Sequence, residues 1–159
     1  MVGNVSLEMI RFFGKDTRRI SHALKVYAYA GTIAELESFP DSLKETTVLA
    51  ALLHDLGIKV AEDKYGSCTY RQQEEEGPPA ARAILSRLSF PANIIDRVCF
   101  LIAHHHSPQA AEDLDFRALL EADFIVNFEE GDLPLSSLET TAKKHFRTKS
   151  GLSLLNSMF

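Results

Sequence analysis

The sequence is poor in cysteine, with only Cys68 and Cys99. Two cysteines do not make the disulfide framework of a small secreted domain, and no Cys-x-x-Cys pair offers a thiolate metal site. The longest apolar runs, 48–53 and 98–103, have six residues each and are too short to cross a bilayer. The N-terminus also lacks the basic region and the long apolar stretch of a signal peptide. We therefore expect a cytoplasmic protein with reduced thiols and no membrane partner.

An excess of positive charge is also missing. The chain has 17 Lys and Arg residues against 22 Asp and Glu residues, which gives a net charge of −5. Binding to a nucleic-acid backbone needs a basic face that displaces counterions, so a nucleic-acid polymer is not expected as a partner. A hydrophobic content of 45% is ordinary for a globular protein, and 159 residues are enough for one core. We predict a single domain over residues 1–159.

Helical periodicity dominates the chain, and no segment alternates apolar and polar residues as a half-buried strand would. Asp16 is a candidate N-cap for a long helix. Residues 57–77 contain three glycines and a charged run, so we predict an irregular wall or lid there. Pro78-Pro79 would then start the next helix. The expectation is an all-α bundle of about seven helices, with the last pair between residues 135 and 158.

The dipeptide His54-Asp55 closes the apolar run 48–53. A buried imidazole and a buried carboxylate each carry a desolvation cost, which one bound cation would offset. We expect both residues in the last turn of a helix that ends at Leu56-Gly57, with Gly57 in the left-handed conformation. The pair alone is also compatible with a histidine at a helix end that pairs with a neighbouring carboxylate.

Two further polar residues interrupt helical apolar patterns, and they complete a recognisable order. His22 precedes the dipeptide and Asp123 follows it. The order His, His-Asp, Asp on predicted helices resembles the HD superfamily of metal-dependent phosphohydrolases, over about residues 16–128. Residues 73–85 and 99–106 extend the resemblance to small stand-alone bacterial HD proteins. The resemblance implies an all-helical HD domain with four metal ligands, which are His22, His54, Asp55 and Asp123.

The chemistry of this donor set limits which metals would bind. Two imidazoles and two carboxylates suit Mn²⁺, Fe²⁺, Co²⁺, Ni²⁺ or Zn²⁺ better than Ca²⁺, which prefers oxygen ligands. Multi-metal relatives often carry a histidine where this chain has Gln73, so one divalent metal is expected rather than two. A carboxylate among Glu74, Glu75 and Glu76 remains a candidate for a weaker second site, although these residues also suit a solvated helix start.

The triplet His104-His105-His106 allows two interpretations. The histidines are either exposed at the negative end of a helix, or one or two of them face the metal pocket and handle substrate phosphate. We predict that His104 and His105 are catalytic. Lys64 is the preferred substrate contact because it lies in the stretch after the ligands; the other basic candidates are Arg18, Arg19, Lys59, Arg71 and Arg82.

Three functions are compatible with these features. The leading hypothesis is a phosphohydrolase that cleaves a small phosphate ester, a nucleotide or another phosphomonoester, with a metal-activated water that the resemblance assigns to Asp55. The second is a metal-containing ligand-binding or regulatory module without turnover, and the third is a purely structural helical protein. No Walker-type glycine-rich loop is present, and neither cysteine has an evident catalytic partner. The sequence leaves the oligomeric state open.

Overall fold

The computed structural model describes residues 1–159 and is helical, without a β-strand. Nine α-helices and a short 3-10 turn at Leu135–Ser137 follow one another along the chain. The helices are α1 (Val2–Phe13), α2 (Thr17–Leu36), α3 (Asp41–Leu53), α4 (Leu56–Tyr65), α5 (Tyr70–Arg87), α6 (Ala92–His104), α7 (Leu114–Glu130), α8 (Leu138–His145) and α9 (Lys149–Met158). The all-α prediction is confirmed, with more helices than the seven expected. No helix has both the length and the hydrophobicity needed to span a membrane.

Helix α2 begins where the sequence predicts. The Asp16 carboxylate accepts a hydrogen bond from the Arg19 amide at 3.1 Å, which satisfies one of the free donors of the first turn. The buried side of the helix carries His22 among small and branched apolar residues such as Ala23 and Val26. The histidine is therefore held on the edge of a packed face, within reach of the neighbouring helices.

The helix that carries His54-Asp55 ends earlier than expected. Helix α3 stops at Leu53, His54 is its C-cap and Asp55 is the N-cap of α4. Gly57 lies inside α4 and is not left-handed there. A Cβ atom at Gly57 would stand only 2.2 Å from the Gln73 carbonyl oxygen, so glycine is required by the close packing of α4 on α5. The His-Asp dipeptide consequently occupies a tight junction between two helices.

The predicted irregular wall over residues 57–77 is wrong. Only residues 66–69 separate α4 from α5. Gly66 ends α4 in the left-handed conformation at φ 72°, and Thr69 and Gln72 form a capping box that starts α5. Residues 78 and 79 are prolines inside α5 rather than at its start. The capping box fixes where α5 begins, and packing on α4 and α6 carries the helix through the prolines, each of which removes an amide donor and crowds the preceding turn.

The core explains why several helices meet at the His-Asp junction. Every residue of α3 from Thr46 to Leu53 is buried, so α3 is the central helix and packs against α2, α6 and α7. A main cluster of 31 buried residues joins these helices with α1 and α5. A smaller cluster attaches the C-terminal helices to α7; it consists of Ile125, Phe128, Phe146 and Leu155. The end of the central helix is thus surrounded by its partners, and His54 at this end is fully buried.

Candidate metal centre

The structure brings the four predicted ligands together. His22 Nε2 lies 3.1 Å from Asp123 Oδ1 and 3.5 Å from Asp55 Oδ2. His54 Nε2 lies 3.4 Å from Asp55 Oδ2 and 3.5 Å from Asp123 Oδ1. Helices α2 and α7 and the α3–α4 junction each contribute, so residues distant in sequence surround one point. Two imidazole nitrogens and two carboxylates form a mixed donor set suited to a divalent transition metal.

His54 shows most directly that this set fits a cation. Its side chain is buried, and Nδ1 donates a hydrogen bond to the Ala51 carbonyl oxygen at 2.8 Å. That bond turns Nε2 toward the Asp55 and Asp123 carboxylates, 3.4 and 3.5 Å away, where it makes no hydrogen bond. Burial opposes a charge on His54, but the two carboxylates raise its pKa. An unpartnered buried polar atom is costly, and a metal ion in front of it removes the cost.

The electrostatics of the cluster favour charged ligands. Burial alone would raise the pKa of Asp55 and Asp123, but the adjacent histidines hold both pKa values below their usual range. Burial likewise opposes a charge on His22, yet the hydrogen bond to Asp123 and the charge of Asp55 raise its pKa to about 9. A cation that binds here must therefore displace a proton from His22.

Two residues of the histidine triplet also face this point. His105 is buried, its Nδ1 donates to the Ile102 carbonyl at 2.7 Å, and its Nε2 has no hydrogen-bond partner. That Nε2 lies 3.7 Å from Asp55 Oδ1. The His106 ring stacks on Tyr70 at 4.2 Å, and His106 Nε2 lies 2.7 Å from Gln73 Oε1. Asp55 thus stands between the four-ligand cluster and a second group of histidines.

The structure does not bring His104 or Lys64 to the cleft. His104 is the last residue of α6, its Nδ1 donates to the Phe100 carbonyl at 2.8 Å, and its ring lies against Phe100. Lys64 lies in the last turn of α4 and pairs with Glu76 at 2.7 Å. Consecutive residues of a helix end point in different directions, so a triplet cannot deliver all its side chains to one pocket. We correct the placement of both residues: neither lines the cleft.

A cleft of about 530 Å³ opens over the cluster. Five carboxylates and two guanidinium groups line it, and both guanidinium groups are already paired. Arg19 binds Glu62 with two hydrogen bonds of 2.6 and 2.9 Å, and Arg18 binds Asp132 at 2.8 and 3.0 Å. The cleft is therefore acidic, and an anion needs an additional positive charge to enter it. The other basic candidates, Lys59, Arg71 and Arg82, do not line it.

Helix α7 contributes functional candidates that the sequence interpretation overlooked. Its residues on the cleft are Leu120, Asp123, Phe124, Asn127 and Glu130. Leu120, Asn127 and Glu130 lie three, four and seven residues from Asp123 and so share its face of the helix, since a helix turns once every 3.6 residues; Phe124 borders that face. That periodicity was available in the sequence and could have identified them. Glu130 stands out because its Oε2 lies 2.8 Å from His22 Nδ1.

Fold and site together define an all-helical protein with a buried cluster of histidines and carboxylates that suits a divalent metal. The chain belongs to the HD domain family, whose model matches residues 19–146. Its fold is similar to the crystal structure of a predicted HD superfamily hydrolase from an uncultured Thermotogales bacterium. The TM-score is 0.66 at 21% identity, over 98% of this chain and 82% of that one. No curated protein matches the chain.

Proposed function

We propose that the protein is a metal-dependent phosphohydrolase that cleaves a phosphate ester of a small metabolite. The observation that carries this proposal is the unpartnered Nε2 of buried His54, which faces Asp55 and Asp123 beneath an open cleft. A buried imidazole nitrogen without a hydrogen bond beside two carboxylates is typical of a metal centre and has no evident use in a purely structural helix junction.

The residues that would hold the metal are His22, His54, Asp55 and Asp123, as one divalent transition ion. The chemistry that such a cation supplies is acidification of water and neutralisation of charge on phosphoryl oxygens. The cation would also attract the substrate phosphate into the acidic cleft, because both cleft arginines are paired with carboxylates and leave no free guanidinium for a phosphate. Substrate binding, and not turnover alone, should therefore depend on the metal.

Asp55 and His105 are suited to proton handling beside the reacting phosphate. One Asp55 oxygen faces His22 and His54, while the other lies 3.7 Å from His105 Nε2. Since Nδ1 of His105 is engaged by a carbonyl, its Nε2 is the atom that can accept a proton from water or deliver one to a leaving group. We assign the acid–base role to His105 rather than to His104.

The cleft favours a flat, partly apolar leaving group, as in a nucleotide. Phe124 lines it beside Asp123, and Leu120, Leu133 and Pro108 add apolar surface. The Phe124 ring lies against His145 at 4.9 Å, which fixes its plane. A volume of about 530 Å³ is within the range of small-molecule sites. A nucleoside monophosphate is the substrate class that we test first, ahead of other phosphomonoesters.

A second candidate function has one specific observation in its favour. The cleft arginines are both tied to carboxylates, so the protein lacks the free arginine clamp that many phosphate sites use. A module that keeps the metal and a ligand without turnover would not need such a clamp. This alternative predicts metal and nucleotide binding without release of phosphate.

The deciding experiment measures phosphate release from nucleoside monophosphates and sugar phosphates. Metal-free protein is compared with protein reloaded with Mn²⁺, Fe²⁺, Co²⁺, Ni²⁺ or Zn²⁺. We expect turnover with at least one metal, with Mn²⁺ or Co²⁺ serving best, and its loss on chelation. Inorganic phosphate, probed by calorimetry, should bind only the loaded form. No turnover on any substrate, together with metal-dependent ligand binding, would favour the regulatory module.

A further inference from the structure

Glu130 contacts the proposed metal centre through His22, at the ring nitrogen that faces away from Asp123. Its Oε2 accepts a hydrogen bond from His22 Nδ1 at 2.8 Å, and its Oε1 accepts one from Lys25 Nζ at 2.9 Å. The Glu130 side chain is only 12% exposed, so water does not substitute for these partners. Because its two oxygens bind different donors, the carboxylate cannot rotate without losing one of them. His22 is thereby held with Nε2 toward Asp123.

The histidines of the site differ in the group that accepts a hydrogen bond from their Nδ1 atoms. His54 and His105 donate their Nδ1 hydrogens to main-chain carbonyls of Ala51 and Ile102. His22 alone donates to a carboxylate. A carboxylate partner increases the electron density of the imidazole more than a neutral carbonyl does, and strengthens the opposite nitrogen as a metal donor.

The position of Glu130 on its helix also needs an explanation. Glu129 and Glu130 are the last two residues of α7, and no basic residue accompanies them in the last turn. Acidic groups at a helix C-terminus oppose the helix dipole, so they are unfavourable there unless something compensates. Lys25 compensates from α2, with Nζ 3.0 Å from Glu129 and 2.9 Å from Glu130.

We propose that Glu130, held by Lys25, is a positioning residue that fixes the tautomer and orientation of His22 and so strengthens metal binding. The inference rests on the proposed metal centre, but it does not depend on which substrate is cleaved or on turnover. Glu129 provides a matched control because it neighbours Glu130 and binds the same lysine, yet it makes no contact with His22.

The test is a titration of Co²⁺ into metal-free protein, followed by visible absorption. Glu130→Gln keeps the size of the side chain and removes the charge, and Glu129→Gln makes the same change one residue away. We expect Co²⁺ affinity to fall about tenfold or more in Glu130→Gln and to remain at the wild-type value in Glu129→Gln. The absorption bands should shift only in Glu130→Gln, since only there does the donor strength of His22 change.

Equal Co²⁺ affinity and identical spectra in Glu130→Gln and the wild type would overturn the proposal. Equal weakening in both variants would also overturn it, because the effect would then belong to the lost Lys25 pairs. If Glu130→Gln fails to fold, Glu130→Asp retains the charge at a shorter reach and must show the spectral shift. A wild type that binds Co²⁺ but cleaves no phosphate ester would sink the proposed function alone, whereas absence of Co²⁺ binding would sink both.

Discussion

Two groups of metal-type donor atoms flank Asp55, and they differ in whether those atoms are free to bind a cation. The first group, His22, His54 and Asp123, offers imidazole nitrogens next to a carboxylate whose pKa is held low. In the second group, His105 has a free Nε2, but Nε2 of its neighbour His106 is engaged by Gln73 at 2.7 Å.

This difference separates a site that can bind a cation from one that is better suited to moving protons. Burial, together with the neighbouring His105, lowers the pKa of His106 to about 3, so His106 stays neutral near pH 7. A neutral ring bonded to an amide is a poor second metal site. The comparison therefore supports one metal beside a histidine available for acid–base work.

The largest expected effect comes from the residue that the two groups share. Asp55→Ala should abolish metal binding and reduce phosphate release to background, because it removes both a ligand and the carboxylate next to His105. The matched control is Asp63→Ala in α4, where an exposed aspartate pairs only with Lys59. Metal content and turnover measured on both variants decide the point. Full metal content in Asp55→Ala would remove this residue from the site.

The second prediction separates the two groups. His105→Gln should keep about one metal per chain and lower turnover by roughly a hundredfold, the size expected when a positioned acid or base is lost. His104→Gln is the control, because the preceding histidine lies outside the cleft. Metal analysis and steady-state kinetics on both variants test it. Loss of metal in His105→Gln would make His105 a ligand, and equal kinetics in the two variants would deny it a catalytic role.

The four proposed ligands come from the resemblance to the HD superfamily, which rests on the order His, His-Asp, Asp; the apolar helical pattern around each of them predicts only that they are buried. Buried groups of opposite charge tend to meet in the fold. The orientation of a side chain at the end of a helix is harder to predict from sequence. His104 and His105 differ by a single position at the end of α6, and only the structure shows which of them turns inward.

The prediction of an irregular segment over residues 57–77 is wrong for a related reason. Its glycines suggested a loop, but Gly57 allows two helices to touch, and only Gly66 ends a helix. Long-range packing decides between these uses of glycine, and it is not visible in local sequence. The prediction that Lys64 reaches the cleft depends on a loop in this region, where the structure has a helix. As part of α4 it pairs with Glu76 instead.

The third prediction tests why the second group lacks a metal. Gln73→His replaces the amide that engages His106 with an imidazole, next to Asp55 and His105. We expect the metal content to rise from about one to about two per chain when Mn²⁺ or Co²⁺ is in excess. Arg71→His, at an exposed position of the same helix that does not line the cleft, serves as the control. An unchanged count in Gln73→His would show that the glutamine is not what limits the metal number.

The smallest effect concerns the stability of the metal-free protein. The pKa of His22 is raised from 6.5 to about 9, so folding favours its protonated form. This contribution is complete below about pH 6.5 and is lost as the pH rises through about 9. Urea unfolding of metal-free protein should therefore give a falling free energy of unfolding over this range. The slope should flatten in His22→Gln; an identical slope would assign the dependence to other groups.

The central claim is that His22, His54, Asp55 and Asp123 hold one divalent transition metal. The most direct measurement is elemental analysis of untagged wild-type protein beside His54→Ala, in which the buried nitrogen without a hydrogen-bond partner is removed. We predict about one transition-metal ion per wild-type chain and none in the variant. Equal metal content in the two proteins, or a wild type that retains no transition metal even after incubation with Mn²⁺, Co²⁺ or Zn²⁺, would contradict the claim.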